Sequence, residues 1–227
     1  MAVTLPLAPA HYEASVRSPG MAFLDATPNP NRSDWEQHRY WKEIHQYLYD
    51  SLKGICSYCA SFTPRKRSPS LLDHSSIDHF IPKSINNALA YEWENFRLCR
   101  TRLNNRKSAF QDVLDPCAIQ TGMFKLNFAT FALFPNPTLS EADKQKVLDT
   151  IARLELNTDD AYVNERARAV YSYADRKLSL AVIAQLYPFI ASEIIAENFD
   201  TVYLPTFRTV LEMPNIRSAL IAQGWMT

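Results

Sequence analysis

The chain has 227 residues, of which 47% are hydrophobic and 21% are charged, and its 24 basic and 24 acidic side chains give a net charge of zero. This composition is typical of a folded globular protein and excludes wholesale disorder. No apolar run is long enough to span a bilayer, and the first ten residues lack the basic segment of a secretory signal, so we expect a cytoplasmic protein without membrane contact.

The chain begins with residues 1–32, which are rich in Pro, Asn and Ala and are expected to form an irregular arm. A helix is predicted from Ser33 to Leu52, because Ser33 and Glu36 have the spacing of a capping box and Gly54 suits a left-handed helix end. Apolar and aromatic residues recur along it at helical spacing: Tyr40, Trp41, Ile44, Tyr47 and Leu48. Such a stripe can stack on nucleotides, but packing in the core is far commoner, and we predict packing.

The middle of the chain has the order strand, loop, strand, helix. An exposed basic loop containing Arg65, Lys66 and Arg67 is predicted over 63–70, and a strand follows over 75–80. A loop over 82–88, a short strand over 96–98 and a helix over 100–109 complete the region.

The C-terminal half is predicted to be a strand or hairpin over 122–134 followed by helices. Ser140 and either Asp159 or Asp160 are expected to start the first two helices, with shorter helices over 178–187, 189–198 and 205–212. The sequence therefore predicts an α+β fold, mainly α, in which a small ββα core is flanked by an N-terminal helix and a helical C-terminal region. The predicted parts are the arm at 1–32, the core with its preceding helix at 33–116, and the hairpin and helices at 117–227.

Three short motifs in the middle region are of chemical interest. Asp78-His79 is followed by Phe80-Ile81-Pro82-Lys83, then by Asn95-Phe96-Arg97-Leu98-Cys99, then by Asn104-Asn105-Arg106-Lys107. Their order and spacing resemble the HNH (ββα-metal) endonuclease family, and the likeness covers roughly residues 54–110. The resemblance implies a metal-dependent nuclease that hydrolyses phosphodiester bonds of DNA, with RNA as an alternative substrate.

The resemblance also assigns roles to individual residues. His79 is expected to be the general base, since an imidazole with a pKa near neutrality is a suitable base for water. Asp78 and Asn104 would hold one Mg²⁺ or Mn²⁺ ion, because carboxylate and amide oxygens are hard ligands. Asn95 would hydrogen-bond across the loop and fix the backbone and ring of His79.

Two alternatives within the motifs are weaker. Asp73-His74 is a second Asp-His dipeptide, but it precedes the strand end and lacks the Phe-Ile-Pro-Lys continuation. The family often has His where this chain has Asn104. Asn105 is the alternative candidate for that position, if the alignment is shifted by one residue. The three-residue spacing to Lys107 favours Asn104.

The cysteines allow two interpretations. Cys56 and Cys59 form a C-x-x-C pair where many members of the family carry a zinc knuckle, and Cys99 would be a third ligand of a structural Zn²⁺ ion. Leu103 stands at the usual fourth position, so His74 or Cys117 would have to complete the site. Alternatively, the knuckle has decayed and the cysteines pack as small apolar residues.

The segment from Lys53 to Lys107 contains ten Lys and Arg against four Asp and Glu, a local charge of +6 in a neutral chain. A local basic surface of this kind fits phosphate binding, and the alternative is ordinary solvated charge. The residues predicted to contact nucleic acid are Lys83, Arg97, Arg100, Arg102, Arg106 and Lys107.

Two functional hypotheses follow. The first is an HNH-type endonuclease acting in bacterial antiviral defence, with an ATPase or sensor subunit as partner because the chain has no P-loop of its own. The second is a catalytically inactive nucleic-acid-binding or scaffold subunit of a defence complex with an ATPase. The presence of Asp78, His79, Asn95 and Asn104 together favours the first hypothesis, since a binding protein has no need of that set.

Overall fold

The computed structural model describes residues 2–65 and 73–226. Its N-terminal region is helical over much of the segment that was predicted to be irregular. A π-helical turn at Glu13–Arg17 leads into α1 (Ser18–Ala26). The prediction of an irregular arm is therefore wrong for residues 13–26. The reason is tertiary, because apolar side chains of this segment are buried against residues far along the chain, and Gly20 lies directly against the ring of Tyr91.

The helix predicted from Ser33 to Leu52 is broken into three pieces. They are α2 (Arg32–Gln37), a 3-10 turn at Tyr40–Ile44 and α3 (His45–Ser51). The capping box is made by Asn31 with Asp34 rather than by Ser33 with Glu36. Gly54 has a φ of 68°, which confirms the left-handed conformation expected after the last helix of this region.

The predicted order of strand, loop, strand and helix in the middle of the chain is confirmed. Strand β1 (Ser75–His79) pairs antiparallel with β2 (Phe96–Arg100), and α4 (Thr101–Lys107) follows β2 directly. The register places Asp78 opposite Arg97 and His79 opposite Phe96. The loop between the strands contains two short 3-10 turns, at Asn87–Leu89 and Trp93–Asn95.

The C-terminal half contains the predicted hairpin, β3 (Phe124–Leu126) with β4 (Leu133–Pro135), followed by helices. Ser140 and Asp159 accept hydrogen bonds as N-caps, as the sequence predicted. The helices are α5 (Glu141–Arg153), α6 (Asp160–Ala174), α7 (Leu180–Leu186), α8 (Pro188–Ala196), α9 (Phe199–Val202), α10 (Leu204–Glu212) and α11 (Pro214–Ala222). Of these, α9 and α11 were not predicted. The fold is α+β and mainly helical.

Two hydrophobic clusters hold the strand pair between them. Phe96 and Leu98 of β2 belong to a cluster with the N-terminal helices and the loop before β2. Cys99 points to the opposite face of β2. It belongs to a second cluster with Leu103 of α4, the hairpin and the C-terminal helices. Both faces of β2 are therefore packed. Within residues 2–65 and 73–226, no helix combines the length and apolar character that crossing a membrane requires.

Candidate active site

A recess with a volume of about 570 Å³ opens at the C-terminal end of β1. Strand β1 and the loop after it provide Asp78, His79 and Lys83, and α4 provides Asn104. The N-terminal region closes another side of the recess with Trp35 and Trp41. Four of the residues that the sequence singled out are therefore brought together in one concave site.

His79 is buried and its ring is held in one orientation. Its Nε2 lies 2.9 Å from the carbonyl oxygen of Ala90, so the ring proton is assigned to Nε2, which donates to that oxygen. Trp41 contacts the ring edge-on, with 4.7 Å between ring centroids. Within the described part of the chain Nδ1 makes no hydrogen bond. Burial, together with the charge of Lys83, holds the pKa of His79 well below its usual range, so the ring is neutral at pH 7 with an unprotonated Nδ1.

Asp78 precedes His79 and is 3% exposed. Adjacent residues on a strand point to opposite faces, but β1 ends at His79, so both side chains line the recess. The Tyr58 hydroxyl donates to Oδ2 of Asp78 at 2.5 Å, and Nζ of Lys107 lies 3.2 Å from Oδ1 and 3.1 Å from Oδ2. Burial raises the pKa of Asp78, and the Lys107 ammonium opposes that rise.

Asn104 approaches β1 from the first turns of α4. Its amide nitrogen donates to the carbonyl oxygen of Ile77 at 3.2 Å and to the hydroxyl of Ser76 at 3.3 Å. These contacts fix the amide and leave Oδ1 as the atom available in the recess. Asn105 is exposed and lies outside the recess lining, so the register with Asn104 is the one that faces Asp78.

Asn95 bridges the two ends of the loop after β1. Its Oδ1 accepts from the backbone N–H of Ile81 at 2.7 Å, and its Nδ2 donates to the carbonyl oxygens of Ile81 at 3.0 Å and Leu89 at 2.9 Å. The predicted bond across the loop is present, but it reaches Ile81 and Leu89 rather than His79. Asn95 therefore acts on His79 through the position of Ala90, the next residue after Leu89.

The recess offers oxygen donors suited to a hard divalent ion. The Asp78 carboxylate and Oδ1 of Asn104 line the same cavity, and water and a phosphate oxygen would complete the coordination of Mg²⁺ or Mn²⁺. Among residues 2–65 and 73–226, no group of three or more His, Cys, Asp and Glu side chains is placed to hold a metal ion. Asp78 and Asn104 would be the protein's ligands, and the remaining positions would have to be filled by water and phosphate oxygens.

Cys99 lies in β2, and the C-x-x-C turn lies beside it, where the backbone N–H of Arg100 donates to the Cys56 sulfur at 3.4 Å. All four are free thiols. The Cys99 thiol lies 3.4 Å from the Ser76 hydroxyl, and Cys117 lies apart beside Arg97. The described residues contain no group of three or more His, Cys, Asp and Glu side chains placed to hold a metal ion. The zinc ion at Cys56, Cys59 and Cys99 stays a prediction.

Three of the predicted phosphate contacts are corrected by the structure. Arg97 is buried and makes a bidentate pair with Asp115, and Arg100 makes a bidentate pair with Glu165. Lys107 is buried beneath Asp78. All three charges are directed into the protein and neutralised there, which removes them from contact with phosphate.

Two further residues predicted to contact phosphate lie on the face of α4 that points away from the recess. Arg102 and Arg106 both bind the Asp159 carboxylate, at 2.7 and 2.6 Å. They are two residues from Asn104 in either direction, and a two-residue step turns a helix by about 200°. Lys83 is the predicted cation that does line the recess. In the basic loop, Lys66 and Arg67 lie outside the described residues.

Three residues of the site were missed by sequence reasoning. Tyr58 lies inside the C-x-x-C motif but contacts Asp78 through its hydroxyl. Trp41 was predicted to pack in the core, and it does contact the apolar cluster, yet it also lines the recess, as does Trp35. Trp35 and Trp41 lie more than 30 residues before Asp78, so no local sequence pattern indicates that they line the recess.

The chain was also compared with known families and with curated proteins. No family model matches it, and no curated protein matches it. The interpretation of the recess therefore depends on the geometry and chemistry of its own residues.

Proposed function

We propose that this chain is an HNH-type, metal-dependent endonuclease that hydrolyses phosphodiester bonds of DNA. The observation that carries the proposal is the placement of His79 in the recess, where Nε2 lies 2.9 Å from the carbonyl oxygen of Ala90 and Nδ1 has no hydrogen-bond partner among the described residues. Asp78 and Asn104 line the same recess and bring oxygen ligands beside this base. A general base beside two hard ligands suits metal-assisted hydrolysis of a phosphodiester.

In the proposed reaction His79 accepts a proton from the attacking water at Nδ1. Its bond to Ala90 keeps the ring aligned. The lowered pKa keeps the ring unprotonated at neutral pH but makes it a weaker base than the imidazole with a pKa near neutrality that the sequence predicted. A divalent ion, when bound by Asp78 and Asn104, supplies positive charge that stabilises the phosphate and the leaving oxygen. Lys107 and Tyr58 hold the Asp78 carboxylate in place and oppose the rise of its pKa that burial causes.

The supporting residues hold this arrangement without contacting the substrate. Asn95 fixes both ends of the loop that carries Ala90, and the amide nitrogen of Asn104 is fixed by Ser76 and Ile77. Positions held in this way reduce the reorganisation needed when charge develops on the phosphate. The proposal therefore predicts that cleavage is sensitive to residues of β1, of the loop between the strands and of α4.

The test is cleavage by purified protein of plasmid, of single-stranded circular DNA and of RNA, with Mg²⁺, with Mn²⁺ or with EDTA. His79→Ala should lower the rate by about 10²- to 10⁴-fold, as expected for loss of a general base. The matched control is His74→Ala, which changes the other Asp-His dipeptide. EDTA should abolish cleavage.

Two results would overturn the proposal. No cleavage of any substrate with either metal would leave the inactive binding subunit as the better hypothesis. An equal loss of activity in His74→Ala and His79→Ala would mean that the base has been assigned to the wrong residue.

A further inference from the structure

Beside the recess, the exposed basic side chains Arg32, Arg39 and Lys42 belong to the N-terminal region rather than to α4. A second depression, of about 580 Å³, adjoins the recess and shares Trp35, Trp41 and Lys83 with it. The residues that line this depression are called the α2 surface: Arg32, Trp35, Glu36, Arg39, Trp41, Lys42 and Lys83.

The α2 surface has an excess of positive charge that the protein does not neutralise. Four cations face one anion there, and Glu36 pairs with Arg32 at 3.2 Å and with Arg39 at 3.7 Å. Within residues 2–65 and 73–226, Lys42 and Lys83 form no ion pair with a carboxylate. This contrasts with Arg97, Arg100, Arg102 and Arg106, whose charges are all paired. A polyanion is attracted to the charges that remain unpaired.

The same surface contains two indoles beside the proposed base. Trp35 and Trp41 form the wall common to the two depressions, and Trp41 also contacts His79. Nζ of Lys83 lies 4.5 Å from the ring centroid of Trp41 and 5.5 Å from that of Trp35, where the two depressions meet. A phosphate at Lys83 would therefore stand between the α2 surface and His79.

Aromatic rings beside phosphate-binding cations suit unpaired nucleotides. In a regular duplex the base faces are stacked on each other, whereas a single strand presents base faces and phosphates together. A single strand is also flexible enough to enter the recess, in which the proposed general base, His79, is only 7% exposed.

We infer that the α2 surface binds single-stranded nucleic acid and leads it past Lys83 to His79. The inference rests on the proposed nuclease function and deepens it by naming an unpaired strand as the substrate. The exposed cations Arg32, Arg39 and Lys42 contact successive phosphates, and Trp35 stacks on a base.

The test measures binding without cleavage, in a His79→Ala background with EDTA. The probes are a fluorescein-labelled 20-nucleotide oligo(dT) and a 20-base-pair duplex, followed by anisotropy over a salt series. The single strand should bind more tightly. Lys42→Ala and Arg39→Ala should each make the slope of log affinity against log salt shallower by about 0.7, the value per phosphate contact on a single strand. Trp35→Leu should weaken binding by about 5- to 150-fold with little change in slope, since stacking is not ionic.

The matched control is Arg168→Ala, which removes an exposed arginine from α6, away from both depressions. Equal effects of Arg168→Ala and Lys42→Ala, or tighter binding of the duplex, would overturn the inference. Because Trp35 also contacts Phe23 and Tyr91, a Trp35→Leu protein that does not fold is replaced by the surface pair Arg39→Ala and Lys42→Ala. The salt dependence of oligo(dT) binding by those two variants is then sufficient to test whether the α2 surface binds the strand.

The two proposals fail in different ways. If the variants lose oligo(dT) binding but unmodified protein cleaves nothing with Mg²⁺ or Mn²⁺, the α2 surface stands and the nuclease proposal fails. If unmodified protein cleaves while these variants bind like the control, the nuclease proposal stands and the path over the α2 surface is wrong.

Discussion

Replacement of Lys107 by methionine tests whether the buried ion pair beneath the site holds Asp78 in its ionised form. The side chain of Lys107 is fully buried, and its Nζ binds both oxygens of Asp78 and the carbonyl oxygen of His79, the last at 3.0 Å. Methionine keeps most of the volume and removes the ammonium, which leaves a carboxylate buried without its counter-ion. The Tyr58 hydroxyl remains as one donor to it.

The expected loss of stability is large for a single substitution. Breaking a buried ion pair by removing one partner costs about 3–5 kcal/mol of unfolding free energy. In a chain of this length each kcal/mol corresponds to about 2–4 °C, so the melting temperature should fall by roughly 6–20 °C. An exposed lysine is the matched control, and Lys42→Met should change the unfolding free energy by less than about 0.5 kcal/mol.

The loss should depend on pH with a definite sign. Burial already raises the pKa of Asp78, and loss of Lys107 raises it further. Between the unfolded pKa of Asp and this raised folded pKa, the folded protein binds a proton that the unfolded chain does not. The penalty therefore grows as the pH rises through that window and shrinks as the pH falls, by at most about 1.4 kcal/mol per pH unit.

The assay is urea unfolding of unmodified protein, Lys107→Met and the double variant Asp78→Asn, Lys107→Met from pH 5 to pH 8. The double variant should recover much of the loss, because the amide is neutral and its oxygen still accepts from Tyr58. A loss below about 1 kcal/mol, or one that is the same at every pH and persists in the double variant, would refute the view that a desolvated ion pair supports the site.

Three further predictions concern the loop, the cation at the recess and the thiols. Asn95→Ala removes three hydrogen bonds across the loop and should lower the unfolding free energy by about 2–4 kcal/mol in urea titrations, together with the cleavage rate; unchanged stability would contradict the bridging role. Burial lowers the pKa of Lys83 to about 8, so oligo(dT) affinity of the His79→Ala protein should fall as the pH rises from 7 to 9. Lys83→Arg should remove that dependence, and an identical pH profile in both proteins would exclude Lys83 as its source. If Cys56, Cys59 and Cys99 hold zinc, elemental analysis should find about one zinc per chain and Cys56→Ser should lower the melting temperature, whereas metal-free protein with an unchanged melting temperature in the variant would favour packed thiols.

Local patterns in the sequence determined much of the site. Ser140 and Asp159 cap helices because a side-chain oxygen satisfies backbone N–H groups two or three residues away, which is a short-range interaction. The antiparallel strands β1 and β2 are joined by the loop over 80–95, and α4 begins where β2 ends, so the three elements are consecutive in the chain. That compact unit is sufficient to bring Asp78, His79 and Asn104 to one recess.

Tertiary structure decided where the long helix breaks and where the charges are free. The helix predicted over 33–52 is interrupted where the His38 ring stacks on Phe23 of α1 and the His38 carbonyl oxygen accepts from the Tyr91 hydroxyl. Arg100 meets Glu165, 65 residues further along the chain, so its charge is internal although its neighbours in sequence suggested a phosphate-binding surface. A helical or strand period reports only which residues share a face. The partner of a charge depends on which distant carboxylate the fold brings within a few ångströms, because Coulomb attraction in a desolvated site is decided by that distance and not by separation along the chain.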